Sequence, residues 1–234
     1  TGGNQLLFAK SATKKFSYTM AQIFPKWANE VPRQILLGLI ILLTATVAGI
    51  WYYFSPEFTD VGYAPTQPID YSHRIHAGQL GLDCQYCHTD VKESKQANVP
   101  PTQTCMNCHN QIDSNNPEEI QKIRDSWESG EPIEWVRVHN LPDYAYFDHS
   151  IHVNMGVGCE TCHGRVDRMD VVFQTEPLSM SWCLDCHRNP EQYVRPPSEV
   201  TTMGYQAENQ LEVGRELVAK HNINPPTYCT SCHF

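Results

Sequence analysis

No cysteine in this sequence stands apart: all ten fall in five runs of the form Cys-x-x-Cys-His. Beyond those runs there is no thiol for a disulfide framework, a free nucleophile or an iron–sulfur cluster. Basic charge is scarce where most of the chain lies. Residues 55–234 hold 12 of the 17 lysines and arginines but 25 of the 26 aspartates and glutamates, a balance of −13. Nucleic-acid binding needs a basic face, so that class of partner is excluded. An acidic surface suits a basic carrier, but it is equally the ordinary solvated face of a soluble domain. Long apolar runs are limited to one, residues 35–54. Elsewhere proline is frequent ("VPPT", "RPPS", "NPPT"), which favours turns and extended segments over long helices.

The five runs are Cys84, Cys87, His88; Cys105, Cys108, His109; Cys159, Cys162, His163; Cys183, Cys186, His187; and Cys229, Cys232, His233. A lone Cys-x-x-Cys fits zinc or redox chemistry, and ten cysteines fit a disulfide framework. Neither explains a histidine after the second cysteine five times over. Covalent haem c does: the two thiols add to the porphyrin vinyls and the adjacent imidazole takes one axial iron position. Five covalently attached haems c are therefore expected, with His88, His109, His163, His187 and His233 as proximal ligands.

About 180 residues for five haems leave 36 residues each, too few for a separate helical fold around every macrocycle. The expected fold class is a multihaem cytochrome c, mostly coil with short helices packed around stacked haems, preceded by a single transmembrane α-helix. Covalent thioethers then staple a core-poor domain as disulfides do elsewhere. Two stretches read as helix. In "NPEEIQKIRDSWESG", Asn116 caps, Pro117 suits the first turn, Ile120, Ile123 and Trp127 share a face, and Gly130 stops it. The second lies near 206–221, with a weaker stripe through Leu211, Leu217 and Val218. "IEWVRVH" between them suggests a short strand.

Residues 35–54 are uncharged, and twenty residues at about 1.5 Å each cross a hydrocarbon core of roughly 30 Å. Trp51, Tyr52 and Tyr53 supply an interfacial aromatic belt. The polar segment ahead of the run, and the lack of a small-residue cleavage pattern after it, argue against a cleaved signal. Lys10, Lys14, Lys15, Lys26 and Arg33 against Glu30 alone keep the amino end cytoplasmic. The expected organisation is a cytoplasmic segment 1–34, a span 35–54 and a periplasmic pentahaem domain 55–234 of a bacterial inner membrane. Attachment of haem to Cys-x-x-Cys-His on the outer side of that membrane agrees.

The outer domain repeats itself. "YSHRIHAGQLGLDCQYCH" (71–88) matches "FDHSIHVNMGVGCETCH" (147–163) with one inserted residue. A proline-preceded second site follows each block, giving two-haem modules 71–109 and 147–187 and a fifth site at 229–233. Six histidines remain after the proximal five: His73, His76, His139, His149, His152 and His221. A lone histidine is ordinarily a surface or core residue. A His-x-x-His pair seven or eight residues before a haem run, twice, is poorly explained that way. The fifth haem has His139, His221, Met180 or Met203 to draw on.

The His-x-x-His spacing resembles that of class III multihaem cytochromes c. The resemblance implies that His73 serves the haem at His88 and His149 the haem at His163. It also implies that His76 and His152 reach across to the haems at His109 and His187. The stretch "EWVRVHNLPDYAYFDHSIH", with the single span and five sites, resembles the membrane-anchored pentahaem cytochrome c subunit of alternative complex III, a quinol-oxidising respiratory complex. That resemblance is most specific over 131–165, and it favours His139 as the fifth distal ligand. It implies an iron–sulfur subunit as donor, polytopic quinol-oxidising subunits as neighbours, and a monohaem cytochrome c or terminal oxidase as acceptor.

Two protein ligands on each iron leave no open position for substrate, so an electron conduit is expected, with no turnover by the chain alone. Two rivals remain. A stand-alone membrane-anchored quinol dehydrogenase feeding a periplasmic reductase needs a quinol pocket beside a haem near the membrane. A multihaem reductase needs one open haem, and such enzymes often replace the proximal histidine that all five sites keep.

Overall fold

The computed structural model describes residues 23–113 and 116–233, which places Lys10, Lys14 and Lys15 outside the described residues. The chain divides into two units, residues 1–51 and 52–234.

The first unit is dominated by α1 (Val31–Tyr53), which a short 3₁₀ turn, Lys26–Asn29, precedes. At about 1.5 Å per residue, a helix of 23 residues is long enough to cross a bilayer. None of its residues is buried. Its two threonine hydroxyls bond within the helix. Thr44 Oγ1 donates to the Ile40 carbonyl and Thr46 Oγ1 to that of Leu42, both at 2.8 Å.

The second unit is built of short helices in irregular chain: α2 (Pro56–Thr59), α3 (Cys84–Cys87), α4 (Thr102–His109), α5 (Pro117–Ser129), α6 (His149–Asn154), α7 (Cys159–His163), α8 (Met180–Arg188) and α9 (Gln210–His221). Among the described residues, strand pairing is confined to two isolated antiparallel bridges, Ala145 with His233 and Val157 with Val194. The buried apolar core is small and split. One cluster joins Ile69, Ile120 and Ile123, with Cys105, Met106, Ile133 and Trp135 against it. The other joins Val91, Val153 and Val200.

α5 starts at Pro117 after Asn116 and stops where Gly130 turns left-handed (φ 75°), its N–H returning to the Ser126 carbonyl. Ile120 and Ile123 are buried as their shared face requires. Trp127 is not: it stays 49 % exposed and lines a groove with Gln103, Met106, Asn107 and Asn110. In α9 the expected stripe is displaced. Leu211 is exposed, and the buried contact is Gly214, where a Cβ would lie 1.9 Å from the Glu191 carbonyl oxygen. Gln210 one turn earlier donates to the carbonyls of Glu191 and Val194 at 3.2 and 2.8 Å. The packing face therefore runs through Gln210, Gly214, Leu217 and Val218.

The strand expected in "IEWVRVH" does not form. The side-chain amide of Gln67 takes the place of a neighbouring strand. It donates to the Val136 carbonyl at 2.9 Å and accepts from the Val136 N–H at 3.0 Å. One amide satisfies both backbone groups that a ladder would have used.

Candidate haem-binding sites

Four of the five runs sit on α3, α4, α7 and α8, and the fifth on a 3₁₀ turn, Cys229–Ser231. Helical spacing explains the motif. Residues i, i+3 and i+4 share one face, so both thiols and the imidazole are presented together. The first turns are fixed locally: Asp83 accepts from the Gln85 N–H at 2.8 Å, and Ser179 from the Trp182 N–H at 3.3 Å. All ten cysteines are free thiols.

The histidines share a second feature. In seven of them Nδ1 lies on a backbone carbonyl: His76 on Ser72 (2.8 Å), His88 on Asn98 (2.7 Å), His109 on Ile112 (2.9 Å), His149 on Lys95 (2.9 Å), His152 on Asp148 (2.7 Å), His187 on Pro226 (2.7 Å) and His233 on Tyr144 (3.2 Å). A carbonyl can only accept, so each ring carries its proton on Nδ1 and keeps a lone pair on Nε2. That is the tautomer and tether of a metal-ligating histidine. His73 Nδ1 and His139 Nε2 are buried without a hydrogen-bond partner. His221 lies exposed in the last turn of α9.

Several rings face one another. His76 and His109 stand 6.2 Å apart between centroids, His149 and His163 6.3 Å and nearly parallel at 6°, and His152 and His187 6.1 Å. Two imidazoles on opposite sides of one metal, each bound at about 2 Å, have centroids about 6 Å apart. The donor set thus fits a bis-imidazole iron at three places. His139 packs edge-on against His163 at 4.3 Å, too close for the two to flank an iron as they stand.

Burial, with His88 and His76 adding to it, holds His73 down to about 4. Burial, with His139, His149, His88 and His73 around it, holds His163 down to about 3. Burial also lowers His139 and His152. These imidazoles are neutral near pH 7, as an iron ligand must be.

The repeat seen in the sequence recurs in the geometry. Tyr71 meets His73 at 4.8 Å and stacks on His76 at 4.4 Å, while Phe147 meets His149 at 4.8 Å and stacks on His152 at 4.5 Å. The inserted residue of the first block is absorbed as a π-helical turn, Arg74–Gln79, against the ordinary α-turn of α6.

The sites also adjoin. Cys105 is raised by burial and then by Cys87, which links the second site to the first. A hydrogen bond between the Cys84 and Cys159 thiols links the first to the third and is the largest influence on both, raising Cys84 and lowering Cys159. Cys162 is pushed up to about 12 by burial and then by Cys186 and Cys183, and Cys183 by burial and then by Cys232. The fifth site is fastened to 144–146 by the Ala145–His233 bridge and by Tyr146 N–H to the Cys232 carbonyl at 2.7 Å.

The carbonyl acceptors are what reading the sequence missed, because a backbone group carries no residue signature. Arg195 is a second omission: buried, it pairs with Glu160 inside the third run at 2.9 Å.

Residues 151–234 match the family model described as cytochrome c3. The "Menaquinone reductase, multiheme cytochrome c subunit" of Nitratidesulfovibrio vulgaris is 31 % identical over 141 residues, which is 58 % of this chain and 64 % of that protein. The match therefore spans less than two thirds of the relative's length. Residues 151–234 form a cytochrome c3-like multihaem domain, in a chain homologous to a multihaem cytochrome c subunit.

Proposed function

We propose that this chain is a membrane-anchored pentahaem cytochrome c that passes electrons within a quinol-linked respiratory complex. The observation that carries the reading is the pairing of Nδ1-tethered imidazoles at axial separation, next to cysteines presented for attachment. When bound, haem c supplies one-electron iron(III)/iron(II) exchange. The chain does the rest. Cys84 and Cys87, Cys105 and Cys108, Cys159 and Cys162, Cys183 and Cys186, and Cys229 and Cys232 hold the macrocycles. His88, His109, His163, His187 and His233 would each hold one iron through a ring nitrogen, and His73, His76, His149 and His152 would supply a second imidazole at four of the sites. His139 takes the second position at the fifth. Its segment reaches His233 through Tyr144, and its Nε2 is buried without a partner, as expected of a nitrogen meant for a metal.

Neighbouring thiols support a line of sites in the order second, first, third, fourth, fifth. With two imidazoles offered to each iron, these residues would leave no position open for substrate, and the chemistry haem would supply to this domain is electron exchange. α1 anchors it, with the amino end cytoplasmic and the haem domain periplasmic, because Lys/Arg lie ahead of the span. An iron–sulfur subunit and polytopic quinone-handling subunits are the proposed neighbours, and a monohaem cytochrome c or terminal oxidase the acceptor, as in alternative complex III. The relative belongs to a complex named for reducing menaquinone, the reverse direction. A wire carries electrons either way, with the direction set by its partners.

Pyridine haemochrome analysis should return five covalent haems per chain. Mass spectrometry of what co-purifies in mild detergent should then find an iron–sulfur protein with polytopic subunits. A soluble reductase in their place would overturn the complex, and a clearly lower haem count in matured protein would overturn the sites.

A further inference from the structure

The two repeated blocks differ in charge at four positions, Ser72 against Asp148, Arg74 against Ser150, Asp83 against Gly158 and Gln85 against Glu160, and one of these lies directly before the first cysteine. Ahead of Cys84 stands Asp83, and ahead of Cys159, at the same place in the repeat, stands Gly158. The Asp83 carboxylate accepts from the Gln85 N–H and from Thr201 Oγ1, both at 2.8 Å, and neither partner carries charge. At Gly158 the space is filled by a cation. A Cβ there would lie 2.4 Å from Cζ of Arg195 and 2.5 Å from its Nε. Glycine at 158 is what admits the guanidinium.

Arg195 is held there from every side. Its N–H donates to the Gly156 carbonyl at 2.8 Å, beside the Val157–Val194 bridge. Its guanidinium donates to the Thr202 carbonyl at 3.1 Å, meets Glu160 at 2.9 Å and lies 5.2 Å from the centre of the Tyr205 ring. Glu160 also accepts from the Gly204 N–H at 2.6 Å and approaches Arg165 at 3.8 Å, and Arg165 is in turn paired with Asp167 at 2.6 Å. Two arginines thus face two carboxylates. The cluster balances, and Arg195 is the cation packed on the backbone before Cys159. The first block has an uncompensated carboxylate in that place.

One-electron reduction lowers the charge of an iron site by one unit. A neighbouring anion opposes it and a neighbouring cation favours it, most strongly where water is excluded. The first and third sites touch through Cys84 and Cys159, so a difference between them bears directly on exchange. We propose that Asp83 and Arg195 set a potential step between the first and third haem sites, the third being the more positive. One electron leaves the first iron as one arrives at the third, and no further oxidant or reductant is needed. This rests on both sites carrying haem, as proposed above.

The test is an electron-paramagnetic-resonance redox titration of the membrane-solubilised full chain, with signals assigned through His73→Ala for the first site and His149→Ala for the third. Asp83→Asn should move the first haem to more positive potential and leave the third in place. Arg195→Gln should move the third to more negative potential, and Arg195→Lys should keep it near its original value. The double variant Asp83→Asn/Arg195→Gln should narrow the gap. The expected size is a tenfold or larger change in how electrons distribute between the two sites, about 59 mV for a one-electron couple. If Arg195→Gln fails to mature, Asp83→Asn decides. Unmoved potentials in Asp83→Asn or Arg195→Gln protein that retains five haems overturn the proposal. Haem missing from either site in the unaltered protein is seen in the pigment count before any titration, and overturns the underlying reading instead.

Discussion

At His149 the ring proton points at the Lys95 carbonyl and the remaining nitrogen faces the His163 side. At His152, three residues on, the proton points at Asp148 and the ring faces His187. Two neighbours on one helical turn thus serve different partners, so each should be separable by substitution. His149→Ala and His152→Ala should each create one high-spin haem, at different sites, and the double variant two. Losing a strong donor shifts the affected haems to more positive potential. Electron paramagnetic resonance of the oxidised protein counts them, and a single high-spin iron in the double variant would sink the shared-turn assignment. His139→Ala should affect a further haem, while His221→Ala, at an exposed helix end, should leave the spectra unchanged. Stoichiometric carbon monoxide binding to the reduced native protein would show that one iron lacks its second histidine.

The helices of the second unit are too short to be stable alone; they persist because a few buried contacts hold them. Ile123, at 8 % exposure between Ile69 and the α4 residues Cys105 and Met106, is one such contact. Ile123→Ala should cost about 2–5 kcal/mol, read as a lowered denaturant midpoint against a surface control such as Gln121→Ala. The π-helical turn that bears His76 and follows His73 depends on a different link. Arg74, and then Ser72, hydrogen-bond Asp170 and hold its carboxyl below the usual range. A depressed carboxylate contributes above its unfolded pKa of about 4 and loses that contribution as pH falls. Hydrogen exchange over 72–79 should therefore rise below about pH 4, and Asp170→Asn should flatten that rise. α5 was legible in the sequence because Pro117, its isoleucine spacing and Gly130 are local signals. The strand at "IEWVRVH" was misread because its backbone partner is a side chain 69 residues away in sequence, Gln67. The α9 face was misjudged because a glycine contact carries no hydrophobic mark. Gly158 was visible as a letter, but its meaning lay in Arg195, 37 residues later.

For the whole molecule, the question is which side of a membrane each part occupies. α1 is apolar around its circumference and none of its side chains is buried. A helix of that kind is stable in water only if something covers it, and a lipid bilayer would do so along its entire length. The charges beside it would then favour one orientation: lysine and arginine outnumber acidic residues ahead of the apolar run, whereas the domain after it is strongly acidic. Ten cysteines presented for thioether attachment point the same way, since haem is joined to Cys-x-x-Cys-His outside the bacterial cytoplasm. Protease added to intact spheroplasts should therefore remove the haem-staining domain and leave a protected fragment containing residues 1–34. Replacing Lys26 and Arg33 with glutamine should weaken the orientation signal and lower the haem-loaded fraction, because an inverted domain never meets the attachment machinery. A haem domain that resists external protease while fully loaded would refute this topology, and with it the placement of the acceptor on the periplasmic side.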